Sequence, residues 1–538
     1  MTTKLGPFLG INNRLPDHAL LVDAKTGEAF LRTAENVDID NARAVRRRTG
    51  RTRVQPLTNP HSLKRIGGRW LMVIGLGLYE ITLPAYSQTL LKVLTSTDPM
   101  SYEEWSGDVY FSNGTDAGRI SASGQVFPWA MPSPAQPVVS TIAGSLLPGT
   151  YQVALTYVNT ATGEESGCAG SNNYDLTAAG ALRVALPAGT PGATHVRIYC
   201  SPVNGGVLIW QATVALGASS YDITAVSLAG AQCTTLYQEP LPPGRQVAKV
   251  NGRLCSISGK LVYLGTSYRP GYYLPSEGFI AFPGEVSNIV PAQTGTYVVA
   301  DMTYWFPGAD LQKPEGPLAD VLPYGGVPGT AFKLPNNSRV GWFGARGLVI
   351  ADTQGAAEAV MSDNIDLVAP ASGFSAVIGE AGYWRILSCG WAVNATNLAA
   401  TTYSNFAFTS ISEGYGTLAD GLYALAGADD AGAEILAKVS FGKVDFGSEA
   451  LKLMPAAYAG FASESPLSLT VGYVDETGDF VEYDYPTRAQ CQSLAVQRFD
   501  TGKGLRANWF ELAVSNTDGA DFQMAFISFE PSASQRRI

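Results

Sequence analysis

Gly67-Gly-Arg-Trp-Leu-Met72 joins a glycine turn to an apolar strand, and the same phrase keeps returning along the chain. It comes back as Gly107-Asp-Val-Tyr-Phe111, Gly252-Arg-Leu-Cys255, Gly295-Thr-Tyr-Val-Val299, Gly347-Leu-Val-Ile350, Gly382-Tyr-Trp-Arg-Ile-Leu387 and Gly421-Leu-Tyr-Ala-Leu425. The steps are 40, 145, 43, 52, 35 and 39 residues. An inserted domain of about 100 residues after the second phrase reduces the long step to about 45, and a strand-bearing period of about 40–50 is that of propeller blades. One blade cannot bury its own faces, so blades close into a ring. The expected fold is all-β, a β-propeller of about seven blades.

Composition agrees with that class. Of 538 residues, 58 are Gly and 25 are Tyr, while charged residues make up only 15%, a mixture suited to turns and pleated, half-buried surfaces. His18, His61 and His195 lie too far apart in sequence to suggest a metal or acid–base centre, and no metal or cofactor is expected. The six cysteines (168, 200, 233, 255, 389 and 491) contain no C-x-x-C pair and read as isolated buried thiols, suiting assembly in a reducing cytoplasm. The start, MTTKLGPFLG, lacks a signal-peptide layout and no apolar run approaches 18 residues, so neither an exported precursor nor a membrane span is expected. Net charge is −10, but residues 1–65 carry 12 Lys/Arg against 6 Asp/Glu, leaving −16 on the remainder. An acidic body argues against a general nucleic-acid binder.

The texture divides the chain into five parts. Residues 1–62 read as an irregular arm with one basic hairpin, formed by Asn36-Val-Asp-Ile-Asp40, a turn at Asn41-Ala42, and a returning strand from Val45 to Val54. Residues 63–132 read as the first part of the propeller, ending in the Pro-rich Val126-Phe-Pro-Trp-Ala-Met-Pro-Ser-Pro134. Over 133–235, alternating strands such as Tyr151, Val153, Leu155 and Tyr157 describe an inserted immunoglobulin- or fibronectin-like β-sandwich. Residues 236–445 resume the propeller, with its clearest hairpin at 340–352. Residues 446–538 read as a C-terminal β-domain, with strands near 467–474, 480–485, 509–514 and 522–529 and a helical turn near Arg488 to Val496.

Arg43, Arg46, Arg47, Arg48, Arg51 and Arg53 form the sharpest charge feature. Guanidinium groups there are candidates for phosphate contact with DNA, for an acidic neighbouring subunit, or for pairing within the chain, for instance with Asp38 and Asp40. No aromatic residues interleave with them as single-strand binding favours. Gly75-Leu-Gly77 lacks the third glycine and following helix of a dinucleotide site and reads as strand packing. The acidic hairpin Asp475, Glu476, Asp479, Glu482 and Asp484, and the pair Asp429-Asp430, lack calcium-loop spacing and read as solvated turns. No sialidase Asp-box, G-x-S-x-G elbow or H-E-x-x-H occurs, and the expectation is a chain that is not an enzyme, with no catalytic residues. Carboxylate pairs for glycoside hydrolysis are spatial and escape this reading.

Leu9-Gly-Ile-Asn-Asn-Arg-Leu-Pro16, Leu31-Arg-Thr-Ala-Glu-Asn-Val-Asp-Ile-Asp40 and Arg46-Arg-Arg-Thr-Gly-Arg-Thr-Arg-Val54 together resemble the opening of tail proteins of tailed bacteriophages. Phe441-Gly-Lys-Val-Asp-Phe-Gly447, Gly502-Lys-Gly-Leu-Arg506, Asn516-Thr-Asp-Gly-Ala-Asp-Phe522 and Arg536-Arg-Ile538 are compatible with the same group. By overall plan the chain resembles the nozzle, or packaged-DNA stabilisation, proteins of short-tailed phages. That resemblance implies a structural virion protein in a hexameric ring below the tail adaptor, continuing the DNA channel, retaining the packaged genome and taking part in its ejection. Its partners would be further copies of itself, the adaptor and other tail proteins, tail fibres, and passing double-stranded DNA read without sequence specificity. Its place would be the virion tail, assembled in the host bacterial cytoplasm. The basic arm would latch onto an acidic face of the adjoining subunit, so that reversing Arg46, Arg47 and Arg48 to Glu blocks ring formation. The alternative within the virion is a tail-tip, baseplate or fibre-attachment protein whose inserted sandwich contacts the host surface. A third reading is a propeller hydrolase or lectin acting on host surface glycans.

Overall fold

The computed structural model describes residues 3–17, 20, 28–316, 318–335, 338–380, 382–475, 477–502 and 504–533. His18, Glu476, Lys503 and Arg536–Ile538 lie outside them. The protein is all-β, with no α-helix among the described residues. Its repeated element is a four-stranded antiparallel meander, the unit from which β-propellers are built.

The first meander comprises Pro60–Ile66, Arg69–Ile74, Gly77–Thr82 and Ser87–Val93, and the second Ser101–Trp105, Asp108–Ser112, Ala117–Ile120 and Val126–Phe127. The third is Gln246–Val250, Arg253–Ser258, Leu261–Leu264 and Phe279–Ala281, and the fourth Asn288–Pro291, Gly295–Val299, Thr303–Pro307 and Ala319–Leu322. The fifth is Phe332–Lys333, Val340–Gly344, Gly347–Ala351 and Ala357–Ala359, and the sixth Ser375–Glu380, Tyr383–Ser388, Trp391–Asn394 and Ala400–Thr402. The seventh has only three local strands, Ser410–Ser412, Tyr415–Leu418 and Gly421–Ala424, and takes its fourth from Thr52–Pro56 near the start of the chain.

Each recurring glycine phrase falls in one of these meanders. In most it marks the first hairpin, where pairs such as Ser106-Gly107 (φ 51° and 87°) and Asn251-Gly252 (φ 44° and 77°) take the left-handed conformation of a tight primed turn. Gly347 and Gly421 mark the second hairpin instead. The slip of one strand at Gly347 accounts for the long step of 52 and the short step of 35 on either side of it.

The first strand of a meander has an open inner edge, and unpaired N–H groups there need acceptors. Neighbouring meanders supply them through short polar side chains. Ser62 Oγ accepts from Met100 N (2.8 Å) and Ser101 Oγ accepts from Val247 N (3.1 Å). The Gln246 amide pairs with both Ile289 N and Ile289 O at 2.9 Å, and Asn288 Nδ2 donates to Val327 O (2.8 Å). Ser410 and Ser412 accept from Leu63 N (2.8 Å) and Arg65 N (3.1 Å), which joins the seventh meander to the first.

Between the second and third meanders, two sheets pack on a core of their own. One is Val139–Leu146, Gly180–Ala185 and Ser220–Ile223; the other is Asn172–Leu176, Gly149–Val158, His195–Cys200 and Ile209–Ala215. Tyr151, Val153, Leu155 and Tyr157 enter that core as their alternation predicts. The opposite face of the strand is also covered: Ala154 lies in a second cluster with Tyr199, Leu208, Cys168 and Cys233. All six cysteines are free, and Cys168 and Cys233 share that second cluster. Glu164 and Glu165 dock this unit on its neighbours, through Arg119 of the second meander and through Arg269 and Tyr272 of the third.

Two expectations are corrected at the chain ends. The described residues of 1–62 do not form an arm, and those of 446–538 do not form a layer of their own, because they share sheets. Thr3–Leu5 and Val45–Arg47 pair with Phe522–Phe529, in a six-stranded sheet that also holds Val37–Ile39, Ala457–Ser463 and Cys491–Phe499. Thr33–Glu35 bridges Ala400–Thr402 to Lys438–Val444, fusing the sixth meander into a nine-stranded sheet that runs on through Phe510–Ser515, Ser468–Val474 and Phe480–Pro486. Phe8, Leu31, Val37, Phe441, Phe461, Phe510 and Phe529 fill the core between these sheets. The helical turn expected near 488–496 is strand Cys491–Phe499, paired with Ala457–Ser463. The predicted strand from Val45 to Val54 breaks at Thr49-Gly50, and its two halves enter different sheets. Gly50 permits the break, since a Cβ there would sit 2.1 Å from Asp429 O.

Two outcomes test this description. Gly50→Ala must displace backbone and should cost about 1–3 kcal/mol in denaturant unfolding. Beside Ser62, burial lowers the His61 pKa while Asp98 opposes it. The unfolded chain therefore protonates first as pH falls below about 6.5, so the His61 contribution is intact above that pH and is lost below it. His61→Gln should flatten the fall in stability as pH drops below about 6.5, and an unchanged slope would refute this assignment.

Candidate functional site

Two regions concentrate polar chemistry: the arginine strand and the cavity into which the meanders converge. Among the six arginines, Arg48 is the most deeply placed, with a side chain only 1% exposed. Its Nη1 and Nη2 grip Asp430 at 2.9 and 2.6 Å, and Nε donates to Asn36 Oδ1 at 2.9 Å. The carbonyls of Thr49 and Ser404 (each 3.2 Å) take the remaining protons, and the rings of Tyr403 and Phe406 lie 5.4 and 5.2 Å from the guanidinium.

Arg47 is also buried; its Nη1 donates to Ala428 O (2.7 Å) and its Nε stands 3.6 Å from Asp521. Burial lowers its pKa, and Asp521 offsets part of that. Arg51 reaches Asn405 O, Arg53 reaches Asp420, and Arg43 pairs with Glu28. Arg46 alone of the six has no hydrogen-bonded or ionic partner among the described residues; it lines a cavity of about 230 Å³ beside Asp38, Tyr383 and Asp521. As contacts for DNA or another subunit, Arg47 and Arg48 are therefore corrected: their burial leaves nothing to present. Asp38, expected as an arginine-strand partner, instead binds Arg385 (2.5 Å) and the Tyr403 hydroxyl.

Sequence reading missed Asp430, placed in a solvated loop, and Asn36, placed in a hairpin. Asn36 holds Ser404 Oγ (2.6 Å), Leu436 O (2.8 Å) and Arg48 at once. Its one sequence signal is an Asn at the head of an alternating strand, where φ is 54°. Nothing in Gly-Ala-Asp-Asp-Ala-Gly marks Asp430 as buried. In the acidic hairpin, Asp475 Oδ1 accepts from the amides of Thr477 (2.8 Å) and Asp479 (3.1 Å), closing its own turn. Among the described residues no group of three His, Cys, Asp or Glu side chains is placed to hold a metal ion.

The second region is a cavity of about 610 Å³ bounded by all seven meanders, each of which contributes from its innermost strand or the turn beside it: Leu63, Met100, Val247, Ile289, Phe332, Phe374 and Ile411. Its charged lining is Lys64, Arg245, Lys249 and Lys333 against Glu103. Burial raises the Glu103 pKa, with Lys249 and Lys64 acting against the rise.

No family model matches the sequence, and neither does any curated protein. Among solved structures, a glycoside hydrolase family 43 arabinoxylan arabinofuranohydrolase from Bacillus subtilis is similar over 81% of this chain and 96% of its own, at 10% identity and TM-score 0.23. An exo-β-1,3-galactanase from Phanerochaete chrysosporium is similar over 81% of this chain and 98% of its own, at 12% identity and TM-score 0.20. These neighbours correct the expectation of a chain that is not an enzyme, since both are glycoside hydrolases. At such TM-scores they assign this chain no reaction and no substrate.

The arginine geometry separates two variants. Arg48→Ala leaves Asp430 buried without its partner and should cost about 3–5 kcal/mol in denaturant unfolding. Arg46→Glu breaks no existing bond and should stay within about 0.5 kcal/mol of the parent.

Proposed function

We propose that this protein is a structural subunit of a bacteriophage tail, forming a ring-like nozzle that continues the DNA channel, retains the packaged genome and takes part in its ejection. The observation that carries this reading is where the tail-protein-like segments lie. The opening segments 9–16 and 31–40 and the compatible segments 441–447, 502–506 and 516–522 are scattered in sequence, yet each supplies described residues to one core, among them Ile11, Leu31, Phe441, Leu505 and Phe522. The third opening segment, 46–54, joins them where Arg46 pairs with Gln523. Arg32 pairs with Asp17, whose carboxylate accepts from Lys443 N (3.0 Å). Thr33–Glu35 pairs with Lys438–Val444, and Arg47 faces Asp521. Segments that resemble one family and also build one another's core behave as a single inherited unit.

In this reading the seven meanders are the blades of one propeller, closed when Thr52–Pro56 completes the last blade, and the insert is an immunoglobulin- or fibronectin-like sandwich on its rim. The common cavity and the polar stitching between first strands support that count. Copies of the chain form a hexameric ring with the adaptor above and fibres or other tail proteins beside it. The net charge of −10 suits a lumen past which double-stranded DNA slides, because like charge prevents sticking. With Arg47 and Arg48 committed internally, Arg46 is the remaining candidate of the three for a neighbouring acidic face.

The deciding experiment is native mass spectrometry and averaged electron micrographs of the purified protein with its neighbouring tail proteins. A six-fold ring with a hole wide enough for a duplex is expected, and Arg46→Glu should weaken its assembly while the subunit stays folded. A trimer, or a monomer bound to host envelope, would refute the nozzle and favour a tail-tip protein reaching the host through residues 133–235.

A further inference from the structure

The arginines of this protein usually find a carboxylate at close range. Arg48 has Asp430 at 2.6 Å, Arg69 has Glu80 at 2.7 Å, Arg119 has Asp108 at 3.0 Å, and Arg183 has Asp222 at 2.7 Å. Arg245 differs. It lines the common cavity, its nearest carboxylate is the largely exposed Glu285 at 3.9 Å, and its Nε and Nη2 are buried without a hydrogen-bond partner. Burial lowers its pKa, and Glu285 only partly offsets this. Buried polar groups left unpaired are costly, and Arg245 is the one arginine with two such nitrogens among the described residues.

The remaining charges agree. Lys64, Lys249 and Lys333 join Arg245 on the lining, spread over the first, third and fifth meanders, while Glu103 is the one carboxylate there. Such a cationic cavity stands out in a chain of net charge −10. Cations on separate sides of one space suit an anion carrying charge on more than one side. The volume of about 610 Å³ falls within the range of small-molecule sites and exceeds the needs of a simple inorganic ion.

We infer that the cavity shared by the seven meanders is a binding site for a small polyanion, with Arg245 as its principal anchor and Lys64, Lys249 and Lys333 as surrounding charges. The shared chemistry is several anionic oxygens on one compact molecule, carried as phosphate or as carboxylate. This site stands independently of the nozzle reading, because it uses residues that the tail-protein-like segments do not contain.

Isothermal titration of the full-length protein at low salt provides the test, with tripolyphosphate and citrate as the anionic probes and maltotriose as a neutral control. One-to-one saturable binding of either anion is expected, with no heat from maltotriose. Preference between the two anions distinguishes a phosphate source from a carboxylate one. Arg245→Gln and Lys333→Ala should each weaken binding by about tenfold or more, the second at an exposed position with little bearing on folding. Arg183→Gln, on the insert, should leave it unchanged. Absence of saturable binding by both anions, or binding undiminished in both cavity variants, would overturn the assignment.

Discussion

A single guanidinium, that of Arg48, holds together parts of the chain that lie hundreds of residues apart. Its five protons go to Asn36, Asp430 and two backbone carbonyls, so a full charge is buried with nothing left over. A buried charge is tolerable only when its partner and hydrogen bonds are complete. That requirement fixes how residue 48 sits against residue 430, and thereby how Thr52–Pro56 enters the last meander. The closure of the repeated sheets and the joining of the chain ends thus depend on the same ion pair.

The meanders face a second problem at their inner edges. Open strand edges invite mispairing, and here Ser62, Ser101, Gln246, Asn288, Ser410 and Ser412 make contacts from one meander to another. Small polar side chains serve where strands converge, because larger ones would fill the common space. The cavity is therefore a by-product of how the edges are satisfied, and its cationic lining is a separate feature laid on that frame.

The two-sheet unit between the second and third meanders is held differently. Its core is its own, and it meets the neighbouring meanders through Glu164, Glu165, Arg119, Arg269 and Tyr272. Polar docking of an independently cored unit allows it to be elaborated without disturbing the sheets that carry it. The chain ends have no such independence, since Phe8, Phe441, Phe510 and Phe529 share one core.

Local features were legible in the sequence because they follow from residues close together. Glycine turns at Gly67, Gly107 and Gly252 announce hairpins through φ values that side chains rarely adopt, and the alternation of Tyr151 to Tyr157 names the face of a strand that enters the core between its two sheets. From these came the all-β class and the repeated meander. The fate of Arg46, Arg47 and Arg48 was beyond the same reasoning, as adjacent, chemically identical residues differ only in what the distant chain brings to them. Tertiary structure alone decided that Asp430 is buried, that the two ends share sheets, and that Arg245 lines a cavity with two of its nitrogens unpaired. Each depends on pairing across hundreds of residues, where neither periodicity nor spacing carries information.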